Sequence, residues 1–190
     1  MKFVTPLVLP CLALTLAGCG QNPKAAPPMP VPPPLPPAAT GIPGWPATNA
    51  QPRLPTLKLQ VSNQIITAEL CRRPIEIMTG MMFRTNILES EGMLFALPYP
   101  QQSSFYMKNT LVPLSVAYID ADGRILEVHE FEALNEEAVP SRSYRVQYVL
   151  EMKAGWFPRN GVVPGAIIQT EQGPLKDHVK FIPQEPEKAK

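Results

Sequence analysis

Two histidines and three cysteines among 190 residues leave little from which to build a metal centre or a stapled scaffold. Structural zinc sites take four Cys or His ligands, and disulfide frameworks pair four or more cysteines. No cofactor and no metal are therefore expected. Charge of either sign is also scarce, with 17 Lys and Arg against 16 Asp and Glu for a net +1. A broad grip on nucleic acid needs an excess of cations to release counterions, so no nucleic-acid partner is expected. No glycine-rich phosphate loop follows a strand, and no nucleophile–base pair of the Ser/His or Cys/His kind is legible. The apolar run Phe3–Ala17 is about 15 residues long and holds Pro6 and Pro10, whereas a membrane span needs ~20. Proline is what the chain has in excess, at 25 residues.

The N-terminus reads Met1-Lys2, then the apolar run, then Leu16-Ala17-Gly18-Cys19. One positive charge, a short apolar core and small residues before a cleavage point predict a secretory signal over residues 1–18. The tetrad ending in Cys19 resembles the lipobox of bacterial lipoproteins. That resemblance implies cleavage before Cys19 and transfer of a diacylglycerol to its thiol, giving a membrane anchor. Two or three acyl chains, at about 0.8 kcal/mol per buried CH₂, hold a protein where one chain would not. Gly20 stands where, by the same resemblance, an aspartate would favour retention at the inner membrane. The expectation is an exported protein on the outer membrane, facing the periplasm. The alternative is an ordinary secretory signal with an incidental cysteine.

Residues 21–55 hold thirteen prolines and almost no charge. Such a segment buries too little apolar surface to offset its ordering entropy. Residues 19–55 are accordingly expected to be a disordered linker with stretches of polyproline II, reaching on the order of 100 Å when extended. A folded domain is expected over 56–173 and a polar, frayed tail over 174–190. Within the domain, alternation predicts a hairpin turning near Ser62–Gln64 and a short helix opened by Pro74. A buried strand Gly92–Leu97 is expected to close at Pro98 and Pro100, followed by a strand over 104–109. Leu114–Ile119 and Arg124–Phe131 flank an Asp-Gly turn, the clearest hairpin signal in the chain. Arg145–Met152 and Ala166–Gln169 supply further strands. The fold class is α+β, mainly antiparallel β, a small barrel-like domain with one or two short helices.

Several motifs then follow in order: Gly80-Met81-Met82-Phe83-Arg84, Gly92-Met93-Leu94-Phe95, and Phe105-Tyr106-Met107-Lys108-Asn109-Thr110 with Pro113-Leu114. Asp120…Gly123, Leu150-Glu151…Ala154-Gly155 and Gly165 complete the series. This pattern resembles the domain-of-unknown-function 192 family, over about residues 56–170. The resemblance implies a compact, mostly β domain and supplies no established reaction. Ser115 departs from it, standing where the family usually has an aspartate.

The candidate chemistry is sparse. Cys71, beside Arg72 and Arg73, is either a packing residue or a reactive thiol. Glu127 and His129 share a strand face, but two groups fall short of the usual metal-ligand count. Met78, Met81 and Met82 form one helical face and, with Met93, Met107 and Met152, are read as core packing, although thioethers also suit Cu(I). Arg84, Lys108, Asn109, Thr110 and Glu151 could form a polar pocket for a carboxylate, phosphate or sugar, walled by Phe105, Tyr106 or Trp156. Equally, Asn109 and Thr110 would bond a turn while Arg84 and Glu151 form an ion pair. The functional expectation is a non-catalytic domain binding a small polar ligand or an envelope partner through this set. The alternative is an enzyme on an envelope carbohydrate using Glu151 or Asp120 as acid/base.

Overall fold

Leu57, Leu59 and Val61 alternate along strand β1 (Thr56–Val61), which pairs antiparallel with β2 (Gln64–Cys71). Ser62, at φ 56°, turns the chain between them, as the sequence leads one to expect. The structure is a computed structural model, and it describes residues 44–184. The expected signal segment, Cys19 and the linker up to residue 43 lie outside the described residues, as do residues 185–190 of the expected tail.

Helix α1 (Pro74–Thr79) starts at Pro74, whose missing N–H costs nothing in a first turn. Glu76 accepts hydrogen bonds from the Arg72 and Arg73 N–H groups at 2.9 and 3.0 Å. Gly80, at φ 46°, stops the helix, and a Cβ there would lie 3.3 Å from the Phe95 ring. Met81 and Met82 therefore sit in the turn after the helix instead of continuing its face.

Strand β3 (Glu91–Gln101) runs parallel to β2, then straight through the prolines expected to end it. Its antiparallel pairing with β8 (Val146–Lys153) shifts register between Ala96 and Gln101. Pro98 and Pro100 fall in that irregular stretch, where no ladder hydrogen bond is asked of them. Of the strand expected over 104–109, only β4 (Ser104–Phe105) forms, paired with β7 (Val139–Pro140). Asn109, at φ 55°, turns the chain beyond it. Strands β5 (Leu114–Ile119) and β6 (Ile125–Phe131) make the predicted hairpin. Asp120 secures it by accepting from the Asp122 and Arg124 N–H groups at 3.0 and 2.9 Å.

After β8 come α2 (Trp156–Arg159), β9 (Ile168–Thr170), β10 (Gly173–Pro174) and α3 (Leu175–His178). The main sheet has eight strands in the order β10-β9-β1-β2-β3-β8-β5-β6, and only β2/β3 is parallel. The domain is thus mainly antiparallel β with short helices, three of them among the described residues. The barrel-like sheet stays open: among the described residues no closed barrel forms. The sheet curls until the start of β6 meets the approach to β9 at one bridge, Arg124 with Ile167, and not along a ladder. Gly123 makes that contact possible: its carbonyl accepts from the Ile168 N–H at 2.8 Å, and a Cβ there would lie 2.3 Å from the Ile168 carbonyl oxygen.

Both faces of the sheet are covered. One carries Leu59, Val61, Leu70, Leu94, Ala117, Leu150 and Ile168, packed with Trp156 and Phe157. The other carries Cys71, Met93, Phe95, Val116, Tyr118 and Val149, packed with Met81, Ile87 and Met107. A buried Leu or Phe contributes roughly 1.5–3 kcal/mol, so each face holds a substantial core. Residues at the expected boundaries also join the domain. Gln51 donates to the carbonyls of Glu76 and Gly80 at 3.2 and 2.9 Å, and the Leu70 N–H reaches Pro55. In the segment expected to fray, Leu175 and Val179 are buried, and the Tyr148 hydroxyl donates to the Val179 carbonyl.

Candidate functional site

Register places Glu69, Met93, Glu151, Val116 and His129 in one row across β2, β3, β8, β5 and β6. Partners in a row share a face, so two carboxylates and an imidazole are carried by the same side of the sheet as the second core. Their fates differ.

Glu69 is surrounded by donors. The Arg84 guanidinium makes a two-pronged contact with it at 3.2 and 3.0 Å, Arg53 adds another at 2.7 Å, and the Leu54 N–H a fourth at 2.8 Å. Burial opposes ionisation of Glu69, but these hydrogen bonds and the nearby positive charge outweigh it and hold the carboxyl below its ordinary range. At the far end, His129 Nε2 lies 3.2 Å from Glu127 Oε2, while Glu127 Oε1 accepts from the Arg142 and Ser143 N–H groups. That pair fastens a loop, and no group of three or more metal-ligating side chains occurs among the described residues.

Glu151, between them, has no hydrogen-bond or ion-pair partner among the described residues. It is 6% exposed, its Oε2 is fully buried, and no hydrogen bond reaches that oxygen. Burial pushes its carboxyl up to about 8. A carboxyl in such a place stays protonated near neutrality, because an isolated charge in an apolar interior is very costly.

Glu151 lines a groove of about 840 Å³, within the range of small-molecule sites. One wall comes from α1 and the turn after it, through Ile77, Met78, Met81 and Met82. The facing wall comes from the proline-bearing end of β3 and from β4, through Leu97, Tyr99, Phe105 and Tyr106. Trp45 and Phe181, one from each flank of the domain, complete the lining. Phe105 is held in place by edge-to-face contacts with Phe95 and Tyr118, at centroid distances of 5.2 and 6.2 Å. Tyr99 and Tyr106 stand half in solvent at the rim.

The structure brings Glu151, Thr110, Phe105 and Tyr106 together in this groove and leaves Arg84, Lys108, Asn109 and Trp156 outside it. Arg84 is taken up by Glu69, so the alternative of an Arg84–Glu151 ion pair is corrected. Lys108 is exposed and reaches Glu136 at 4.0 Å. Asn109 serves the chain turn: its carbonyl accepts from the Phe83 N–H at 2.7 Å. The Thr110 hydroxyl donates to the Lys108 carbonyl at 3.3 Å. Trp156, proposed as a wall, packs on Phe157 in the other core. Asp120 belongs to the β5–β6 turn. Cys71 is wholly buried, and burial together with nearby Glu151 and Glu76 pushes its thiol well up, which suits packing. Ser115 donates to Glu130, which in turn accepts from the Gly155 N–H at 2.9 Å and so ties β5 to β6 and the start of α2.

Trp45, Tyr99 and Phe181 are groove residues that the sequence reading passed over. The aromatic content around 99–106 and the methionine cluster were the available signals.

Fold and groove define a small β-rich domain with one buried acid in a mostly apolar cleft. The chain belongs to the domain-of-unknown-function 192 family, described as an uncharacterized ACR, whose model matches residues 57–170. No curated protein matches the sequence. Among solved structures, a protein of unknown function from Novosphingobium aromaticivorans DSM 12444 is similar at 28% identity and a TM-score of 0.58. That match covers 61% of this chain and 86% of the other. A protein from Sinorhizobium meliloti 1021, provisionally labelled a transcription regulator, is similar at 29% identity and a TM-score of 0.60. Here 63% of this chain and 97% of the other are covered.

Proposed function

We propose that this protein is a lipid-anchored, non-catalytic binding module of the cell envelope that holds a small ligand in the Glu151 groove. The observation that carries the reading is the fully buried Glu151 oxygen, unpartnered among the described residues, lining a mostly apolar cleft. A buried polar atom without a partner costs roughly 1–3 kcal/mol, and a ligand that supplies the missing hydrogen bond recovers it. The composition of the groove alters the expected ligand from small and polar to one mostly apolar with a single polar group.

The anchor rests on the Leu16–Cys19 tetrad and the short apolar run before it. An acyl-chain analogue fed to cells is expected to label the wild type and leave Cys19→Ser unlabelled, and equal labelling overturns the anchor. For the groove, thermal shifts of the wild type against Met78→Glu, across a panel of amphiphiles, are expected to give stabilisation in the wild type only. Identical responses remove the groove from the account.

A second reading, an enzyme using Glu151 as acid/base, draws on the same raised proton affinity. Asp120, its other candidate carboxylate, is committed to the β5–β6 turn, and among the described residues no second carboxylate lines the groove. Binding without turnover is therefore the reading preferred here. The regulator label of the S. meliloti protein adds nothing for nucleic acid, since a net charge of +1 gives little electrostatic hold on phosphates.

A further inference from the structure

The charge inventory of the groove narrows its ligand, an inference that rests on the binding reading above. Among the described residues no Lys, Arg, His or Asp lines the cleft, and Glu151 is its only acidic residue. Of the cations close in sequence to its walls, Arg73 pairs with Glu76 at 3.3 Å, Arg84 with Glu69 at 3.0 Å and Lys108 with Glu136 at 4.0 Å, while Lys180, next to Phe181, is exposed and does not line the cleft. A carboxylate or phosphate would enter a cleft with no counter-charge and meet an acid at its wall. A ligand cation would find the opposite: one carboxyl able to give up its proton and pair with it, and aromatic side chains at Phe105, Tyr99, Tyr106 and Trp45, whose faces attract positive charge. Met78, Met81, Met82 and Leu97 offer polarizable apolar surface for a hydrocarbon body.

We infer that the groove takes an alkylammonium amphiphile, its carbon chain along Met78, Met81 and Leu97 and its ammonium paired with Glu151. The proton balance is explicit. The ammonium enters already protonated, the Glu151 O–H bond breaks, its electron pair stays on the carboxylate, and the proton leaves to solvent. The other groups around Glu151 do not supply that charge: Cys71 on β2 and Tyr118 on β5 are buried and hold their protons, Glu69 is neutralised by Arg84 and Arg53, and Glu76 is bonded to the N–H groups before α1. Water expelled from the cleft leaves the ion pair in a low dielectric, where it is stronger than at a surface.

The test is calorimetric titration of the purified protein near neutral pH with n-octylammonium, 1-octanol and octanoate, in two buffers of different ionisation enthalpy. Octylammonium is expected to bind at least tenfold more tightly than octanol, with release of a proton on binding, and octanoate is expected to bind most weakly. Glu151→Gln, which keeps the neutral shape of the protonated acid, is expected to erase both the preference and the proton release. Octanol or octanoate binding as well as octylammonium overturns the cation assignment while leaving the groove reading intact. Failure of all three to bind overturns both.

Discussion

Glu69 and Glu151 stand in one row of the sheet, on either side of Met93, and only Glu69 has a cation. Arg84 chooses between them. Its guanidinium is fixed by the Glu69 carboxylate and by the Gln51 and Pro52 carbonyls, at 3.3 and 3.4 Å, so the segment before β1 helps to draw it away from Glu151. One acid becomes a fastening of the fold and the other is left without a partner among the described residues.

The fastening is the easier to break. Glu69→Gln leaves Arg84, 12% exposed, with a weakened partner. The variant is expected to lose about 3 kcal/mol, as removal of one member of a buried pair does. Urea unfolding reads this as a lower midpoint at unchanged slope, and a change under about 0.5 kcal/mol contradicts it.

Glu151 makes stability depend on pH in a defined direction. Its folded-state carboxyl is raised from 4.5 to about 8, so the folded protein keeps a proton that the unfolded chain loses across that interval. Stability contributed by the group is full below about 4.5 and declines as pH rises towards about 8, by roughly 1.4 kcal/mol per unit. Glu69 acts in the opposite sense, its contribution being lost as pH falls through its lowered range. The difference in unfolding free energy between wild type and Glu151→Gln is expected to grow in favour of the variant between about pH 5 and about pH 8. A constant difference contradicts the assignment.

Cys71 should be silent in the native state. With the side chain wholly buried and the thiol pushed up, a maleimide at neutral pH is expected to label it only after denaturant is added. Labelling of the folded domain at the rate of a free thiol contradicts its place in the core.

Residues just before β1 belong to the fold's energetics. Deleting residues 49–54 removes the Gln51 bonds to Glu76 and Gly80 and two of the donors to Glu69. Melting is expected to fall by several degrees, since about 1 kcal/mol moves Tm by roughly 4 °C in a domain of this size. Deleting residues 26–43 is expected to leave Tm unchanged. Equal effects of the two deletions contradict this division.

Much of the fold was legible where local chemistry decides it. Alternation and an Asp-Gly pair mark the β5–β6 hairpin, and Pro74 marks the start of α1. The prolines of β3 misled because their cost depends on whether a neighbouring strand asks for their N–H, which the register shift settles from far away in sequence. Leu175 in the four-residue α3 and Val179 just past it lie in a polar stretch, and the core that buries them is built by strands far away in sequence. Glu151 was visible as a residue of interest, but alternation gives a face and never a partner. That Arg84 would bind Glu69 depends on residues 51–54 folding back, and proline content there argued for a linker. The groove's walls were likewise present in the sequence, Phe105 and Tyr106 as a candidate pocket wall and the methionines as residues read for packing.

The most direct test of the central claim is an NMR titration of the Glu151 side-chain carboxyl carbon in the folded protein, assigned by its disappearance in Glu151→Gln. The account predicts a midpoint near 8 without ligand, shifting down when octylammonium is added. A midpoint near 4.5 without ligand, the ordinary value for the group, would show that Glu151 is either solvated or already partnered, and the groove would lose its anchor.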